Sequence, residues 1–172
     1  KINIVIVSDH GMVDVSENKV LNVDNFNIPG EVFGRGPIMN VVERYPYPDS
    51  SSINNFTIPN VTIVSSENNN ELHYHNPEYD FLLIADEGWM MYTYKDIQIF
   101  DSKLPVKGMH GYNPDNINMH AIFYAFGPKF KNGMLIDTFE LIHIYPMLCD
   151  LLDITAHKDI DGDFEILKTI LR

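Results

Sequence analysis

An apolar, mostly β-branched run near the start of the chain leads directly into two side chains that commonly bind metals. Ile2–Val7 reads Ile-Asn-Ile-Val-Ile-Val, and Ser-Asp-His-Gly-Met follows it. Such a run is typical of a strand covered on both faces, as in a parallel sheet. Ligands of open α/β sheets bind beyond the carboxyl ends of the strands, where Asp9 and His10 lie. Neighbouring side chains of a strand point to opposite faces, so both reach one ion only if the chain turns, and we expect Gly11 to turn it through a positive φ.

Further apolar segments predict regular structure along the chain. The predicted strands are Ile38–Arg44, Val61–Ser65, Phe81–Ala85 and Met119–Phe126. Tyr145–Leu152 is predicted to be a helix, with Pro146 tolerated in its first turn. No internal repeat or linker divides the 172 residues, and a domain holds about 150 residues on average. We therefore expect residues 1–172 to belong to one domain.

Charge and cysteine content exclude some classes of function. The net charge of −12 argues against binding a nucleic-acid polymer, which needs a basic face. An acidic protein still binds phosphate esters if bound dications supply the positive charge. Cys149 is the single cysteine, so no disulfide framework exists within this sequence; a buried thiol is expected, with a partner outside this sequence as the alternative.

Two features bear on cellular location and on the extent of the sequence. The sequons that begin at Asn55 and Asn60 favour a secreted or lumenal glycoprotein. No apolar run of about 18 residues and no signal peptide is present. The chain starts one residue before a core strand and lacks an initiator methionine. We therefore expect it to be cut from a longer protein.

A second candidate ligand is His110, which lies between Gly108 and Gly111. These glycines allow the backbone to bring the imidazole close to a ligand. An exposed side chain without a chemical role is the alternative. Other histidines favour structural roles: His73 and His75 are expected at the surface, and the apolar surroundings of His120 and His143 indicate satisfied core or interface side chains.

Two acidic segments are also expected to be structural. Asp86 and Glu87 follow a predicted strand, and we expect them to cap or hydrogen-bond locally while Trp89 packs. The segment Asp159–Asp163 alternates acids with other residues, but Glu165 follows too early for a calcium loop. A solvated acidic turn is therefore favoured.

Five segments occur in an order that is specific to one family. They are SDHGM at 8–12, ADEGW at 85–89, HGY at 110–112, MHAIFYAFGPKFKNG at 119–133 and YPMLCDLLDI at 145–154. In this order they resemble the ectonucleotide pyrophosphatase/phosphodiesterase family of the alkaline phosphatase superfamily. The resemblance covers most of the chain. ADEGW and HGY argue against the sulfatases and phosphoglycerate mutases of the same superfamily.

The resemblance implies a fold and a set of ligands. The fold is an α/β alkaline phosphatase-like sandwich with a mostly parallel central sheet, here only its C-terminal part. Two zinc ions lie beside a threonine nucleophile in this family. By resemblance, Asp9 and His10 bind the zinc that activates the threonine, and His110 binds the other. The nucleophile and three further ligands belong to the N-terminal half of the domain, and no threonine here lies in the nucleophile motif.

The resemblance also implies a function. It is zinc-dependent hydrolysis of phosphodiester or pyrophosphate bonds in nucleotides or related small molecules. The missing N-terminal half would be a required partner, so the chain alone is expected to be inactive. The catalytic domain is expected to be extracellular or lumenal, free or membrane-anchored. The alternative is a catalytically inactive relative that acts as a binding or surface protein.

Overall fold

The computed structural model describes residues 2–43, 56–65, 72, 74, 76–99 and 107–172. The strands are β1 (Ile4–Val7), β2 (Val13–Asp14), β3 (Val20–Asn22), β4 (Glu31–Gly34), β5 (Ile38–Val42), β6 (Val61–Ser65), β7 (Phe81–Ala85), β8 (Met90–Tyr92), β9 (Gly108–Met109) and β10 (Phe123–Phe126). The helices are α1 (Tyr94–Ile99), α2 (Ile144–Leu151) and α3 (Phe164–Lys168). The chain forms two compact units: unit 1 is Lys1–Asp9 with Ala121–Arg172, and unit 2 is His10–His120.

A four-stranded antiparallel sheet in the order β4-β5-β7-β6 is the largest sheet of unit 2. Every residue of β7 is buried, because this strand hydrogen-bonds to β5 on one edge and to β6 on the other. Its central residue, Leu83, lies opposite Met39 of β5 and Ile63 of β6. Leu83 and Met39 are completely buried in the apolar core of the unit.

Two short strand pairs complete unit 2. β2 pairs with β9 in antiparallel orientation, and Val13 lies opposite Met109. β3 pairs with β8 in parallel orientation. The first pair matters for the site, because β2 starts three residues after His10 and β9 ends one residue before His110. The ladder therefore brings two distant parts of the sequence side by side.

Unit 1 contains the antiparallel pair β1–β10 and two helices. Because side chains alternate along a strand, Val5 packs with Phe123 and Ala125 against the core, which contains Phe130 and Met147. The opposite face of the pair is exposed and apolar. It consists of Ile4, Ile6, Tyr124 and Phe126.

The two helices of unit 1 bury one face each. In α2, Pro146 occupies the first turn, where its missing N–H group has no intrahelical partner to lose. In α3, the Asp163 side chain accepts a hydrogen bond from the Glu165 N–H at 2.9 Å and caps the helix. Met147 of α2 and Leu167 of α3 are both fully buried in the core of the unit.

Several predicted elements are confirmed, and others need correction. β5, β6, β7 and α2 lie where the sequence predicted them, within two residues. In the predicted strand Met119–Phe126, the strand starts only at Phe123, and a 3₁₀ helix covers Ile117–Met119. Short elements in the polar segments were missed, including β4 and α3.

The predicted two-sided burial of the first strand is wrong in this structure. Ile4 and Ile6 are 40% and 48% exposed, and β1 pairs in antiparallel orientation. The mostly parallel sheet is not seen among the described residues, where β3–β8 is the parallel pair and the other sheets are antiparallel. A β-branched run indicates a strand with apolar faces, but it does not encode the direction of the partner.

Some expectations fall outside the described residues, namely those for Asn55, His73 and His75. Within the described ranges, the helices are all too short or too polar to cross a bilayer.

We expect Leu83→Ala to lower the free energy of unfolding by about 2–5 kcal/mol, because it opens a cavity where β7 contacts both neighbouring strands. Urea denaturation followed by circular dichroism measures this change. The control is Leu135→Ala, because Leu135 is 97% exposed and its truncation should alter stability by less than about 0.5 kcal/mol. Equal effects of the two substitutions would contradict the central position of β7.

Candidate metal site

The imidazole rings of His10 and His110 stack face to face. Their centroids are 3.6 Å apart, and the ring planes differ by 12°. His10 is half-buried and His110 is exposed. Both residues belong to unit 2, although they lie at opposite ends of its sequence. The pairing of β2 with β9 places the two rings together, because Val13 and Met109 are direct partners in that ladder.

The His10 ring is oriented by its own backbone. Its Nδ1 lies 2.8 Å from the Gly11 carbonyl oxygen. A carbonyl oxygen only accepts, so Nδ1 carries the hydrogen and the lone pair of the neutral ring is on Nε2. Metal-binding histidines commonly donate their second nitrogen to a backbone carbonyl in this way, which fixes the tautomer and the ring direction.

Gly11 is required here for a reason that differs from the predicted one. It does not adopt a positive φ, unlike Gly111 and several other glycines. Instead, a Cβ at this position would lie 2.0 Å from the Asn118 carbonyl oxygen, which is far below any van der Waals contact. The Gly11 N–H also donates to the Met119 carbonyl at 2.9 Å. The backbone at Gly11 is therefore in close contact with the 3₁₀ helix Ile117–Met119.

The glycines beside His110 have separate roles. Gly111 has a φ of +97°, which L side chains rarely adopt, so it allows the chain to turn away directly after the histidine. At Gly108, an added Cβ would lie 2.8 Å from the flexible Met12 side chain. The backbone around His110 is thus held close to the segment that follows His10.

The described residues contain a pair of candidate donors, not a complete metal-binding group. Among the described residues, no three or more His, Cys, Asp or Glu side chains group around one position. The stacked rings of His10 and His110 bring two candidate donors together, with their ring centroids 3.6 Å apart. Asp9 is an exposed carboxylate in unit 1 and directly precedes His10 in the sequence.

Glu87 makes long-range contacts, contrary to the local bonding expected from the sequence. Its carboxylate accepts hydrogen bonds from Asn116 Nδ2 at 2.5 Å and from Asn118 Nδ2 at 3.0 Å. These bonds, that of Asn116 first, hold the pKa of Glu87 below its ordinary value, so the group is ionised at neutral pH. One sequence signal could have indicated these contacts. It is the pair Asn116 and Asn118, which lie two residues apart shortly before a strand.

Tyr112 follows the ligand segment but is unsuited to proton transfer at neutral pH. The side chain is buried, and burial raises the pKa of Tyr112 to about 12. The phenol therefore stays protonated and serves the apolar core, where Trp89 also packs as expected.

The remaining candidates in unit 1 have the structural roles that the sequence favoured. His143 Nδ1 accepts a hydrogen bond from the Asp163 N–H at 2.9 Å. Cys149 is a buried thiol. Asp159 and Asp161 are exposed.

A family model and a sequence relative match this chain. The model described as type I phosphodiesterase / nucleotide pyrophosphatase matches residues 1–113. The chain is 30% identical over 183 residues to ectonucleotide pyrophosphatase/phosphodiesterase family member 7 of Mus musculus. That match covers 99% of this chain and 40% of the relative, so the chain spans less than half of the relative's length.

Solved structures with the same fold come from a related protein. Human ectonucleotide pyrophosphatase/phosphodiesterase 5 superposes with a TM-score of 0.80 and 28% identity, over 99% of this chain and 45% of that structure. An inactive variant of the murine protein in complex with AMP has the same TM-score at 26% identity, with the same coverage. These structures confirm the α/β, alkaline phosphatase-like fold class. The chain belongs to the type I phosphodiesterase / nucleotide pyrophosphatase family, in its ectonucleotide pyrophosphatase/phosphodiesterase branch.

Proposed function

We propose that the protein containing this sequence hydrolyses phosphodiester or pyrophosphate bonds of nucleotides with the help of two zinc ions. The observation that supports this most directly is the stack of His10 on His110 at 3.6 Å. Binding of a pair of metal ions would account for two imidazoles placed side by side.

The ligand assignments follow the family resemblance residue by residue. His10 binds one zinc together with Asp9, which precedes it in the sequence, and His110 binds the other. Bound zinc would stabilise the negative charge that develops on the phosphoryl oxygens and activate the nucleophile. The protein supplies the orientation: Gly11 O holds Nδ1 of His10, and Gly111 directs the chain away from His110.

The charge of the chain fits this role of the metals. With a net charge of −12, the chain repels an anionic substrate unless cations offset that charge locally. Two dications at the histidine pair would attract the phosphoryl group to one position. The specificity for phosphate then comes from the metals, and no basic side chain of this chain is assigned to it.

The nucleophile is proposed to be a threonine in the N-terminal half of the domain. Residues 1–172 then form the C-terminal part of one catalytic domain, although they are divided into two compact units here. The relatives it matches are more than twice as long, which agrees with a second half of comparable size.

A nucleotide is the proposed class of substrate. The structure of an inactive variant of the murine relative holds AMP, and the aligned residues, which cover 99% of this chain and 45% of that structure, are 26% identical. The family name itself refers to nucleotide pyrophosphatases.

An extracellular or lumenal location is proposed from the two sequons. Asn60 lies in the turn before β6, with a φ of 60° that asparagine tolerates better than most residues. Thr62 of the same sequon is exposed on β6, an edge strand of its sheet. The site is therefore at the rim of unit 2.

We expect Thr62→Ala to remove one N-linked glycan from protein secreted by eukaryotic cells, because it destroys the sequon but keeps Asn60 at its positive φ. Mass spectrometry with and without glycosidase treatment measures the loss. Thr57→Ala tests the Asn55 sequon in the same way. Unmodified peptides at both positions in the secreted wild type would contradict the proposal.

We expect His10→Ala and Asp9→Asn in the complete protein to lower turnover of a nucleotide p-nitrophenyl ester by more than about 100-fold. Loss of a direct ligand should exceed the 10–100-fold effect of removing an outer partner. Zinc content is measured in parallel and should fall, while circular dichroism stays unchanged.

The matched control is His157→Ala. His157 is an exposed histidine whose Nδ1 accepts a hydrogen bond from the Asp159 N–H, so its removal should leave turnover and zinc content unchanged. Wild-type turnover in zinc-replete His10→Ala would refute the ligand assignment. A zinc-loaded wild type without turnover on any nucleotide would favour the alternative of an inactive relative.

We expect residues 1–172 alone to be inactive even when they are saturated with zinc. Three of the six ligands that the resemblance implies lie in this sequence, and no threonine lies in the nucleophile motif. Without that hydroxyl group, no covalent intermediate forms. The assay compares phosphodiester hydrolysis with buffer at equal zinc concentration. Zinc-dependent turnover well above buffer would place the nucleophile within this chain and contradict the proposal.

A further inference from the structure

We propose that Glu87 is a positioning residue for the metal ligand His10, acting through the 3₁₀ helix Ile117–Met119. This inference rests on the proposed function, because it takes His10 to be a zinc ligand. Among the described residues, Glu87 hydrogen-bonds to Lys19, Asn116 and Asn118 and so acts on the imidazole indirectly. Its effect is transmitted along a continuous set of hydrogen bonds and one steric contact, all within unit 2.

The first step is the rigid attachment of Glu87. It lies two residues after β7, whose residues are all buried. The turn that contains it is closed by the Trp89 N–H, which donates to the Asp86 carbonyl at 2.9 Å. Trp89 packs against the core of the unit. The carboxylate is therefore exposed but carried on a backbone that the central sheet fixes.

The second step links this carboxylate to the 3₁₀ helix. The side-chain amide of Asn116 makes two hydrogen bonds. Its Nδ2 donates to the Glu87 carboxylate, and its Oδ1 accepts from the Asn118 N–H at 3.0 Å. The Asn118 amide donates to both carboxylate oxygens, at 3.0 and 3.1 Å. Hydrogen bonds to an ionised acceptor are stronger than neutral ones. Glu87 thus holds the helix cap, Asn116, and the middle residue, Asn118, in one geometry.

The third step transmits this geometry to the ligand. The Asn118 carbonyl leaves no space for a side chain on Gly11, and the Met119 carbonyl accepts the Gly11 N–H. The Gly11 carbonyl in turn accepts from Nδ1 of His10. A displacement of the 3₁₀ helix would move Gly11 and rotate its carbonyl. The imidazole would then lose the orientation in which Nδ1 donates to the Gly11 carbonyl and Nε2 is left for the metal.

The test measures zinc affinity of the complete protein by competition with a chromogenic chelator. We expect Glu87→Ala to weaken zinc binding about tenfold, the lower end of the range for outer partners of metal ligands. The matched control is Asp86→Ala, which removes the same charge one residue away. Asp86 is exposed, and its backbone bonds remain after the substitution.

A rescue variant separates positioning from general stability. Glu87→Gln combined with Asn118→Asp restores a carboxylate–amide pair with the two groups exchanged. We expect it to recover most of the zinc affinity lost in Glu87→Gln alone. The absorption spectrum of the cobalt-substituted protein provides a second readout, since it changes when a ligand of the ion is displaced. Thermal unfolding of the zinc-free forms identifies any variant that has lost its fold.

The outcomes distinguish this inference from the function on which it rests. Wild-type zinc affinity in His10→Ala would overturn the ligand assignment and the positioning role with it. If His10→Ala loses zinc while Glu87→Ala binds it as tightly as Asp86→Ala, the positioning role alone is overturned. If Glu87→Ala does not fold, the double variant Glu87→Gln with Asn118→Asp provides the test. The positioning role is overturned if that variant folds but does not regain zinc affinity.

Discussion

Hydrogen bonding on both edges of β7 is the constraint on which the rest of unit 2 depends. The strand has five apolar residues and no polar side chain, so it is stable only between two other strands with its faces covered. This central place also fixes the turn that follows it. Glu87 is consequently exposed to solvent, although its backbone belongs to a hydrogen-bonded turn attached directly to this buried strand. A wholly buried strand is therefore followed, two residues after its end, by the exposed carboxylate of the network.

The elements that the sequence predicted are those whose signals are local. β6 and β7 are continuous apolar or β-branched runs, and α2 combines an apolar face with a proline in its first turn. The pairing direction of β1 was not predictable in this way, because its partner β10 lies more than a hundred residues away. α3 was missed because five residues show no periodicity, although its capping residue Asp163 is a recognisable start signal.

The site was predictable in part for a similar reason. His10 and His110 attract attention because of the residues beside them, and the structure brings their rings together. The need for Gly11 was recognised, but its cause was not. A positive φ is a property of one residue, whereas the close approach of the Asn118 carbonyl depends on a segment far along the chain. The contacts of Glu87 were missed for the same reason. A sequence pattern does not distinguish a turn carboxylate that accepts hydrogen bonds from neighbouring residues from one that accepts them from a distant segment.

The stacked rings connect the first segment of unit 2 with a segment near its end. Their contact therefore closes a loop of about a hundred residues. Contacts of such long sequence separation carry a large entropic cost and form once the intervening chain is ordered. A molecule in which the β2–β9 ladder has come apart presents two separate histidines. The pair is thus an indicator that this ladder has formed. In a nuclear magnetic resonance spectrum, each ring shifts the proton signals of the other, so the integrity of the ladder can be read from two side chains before any ion is added.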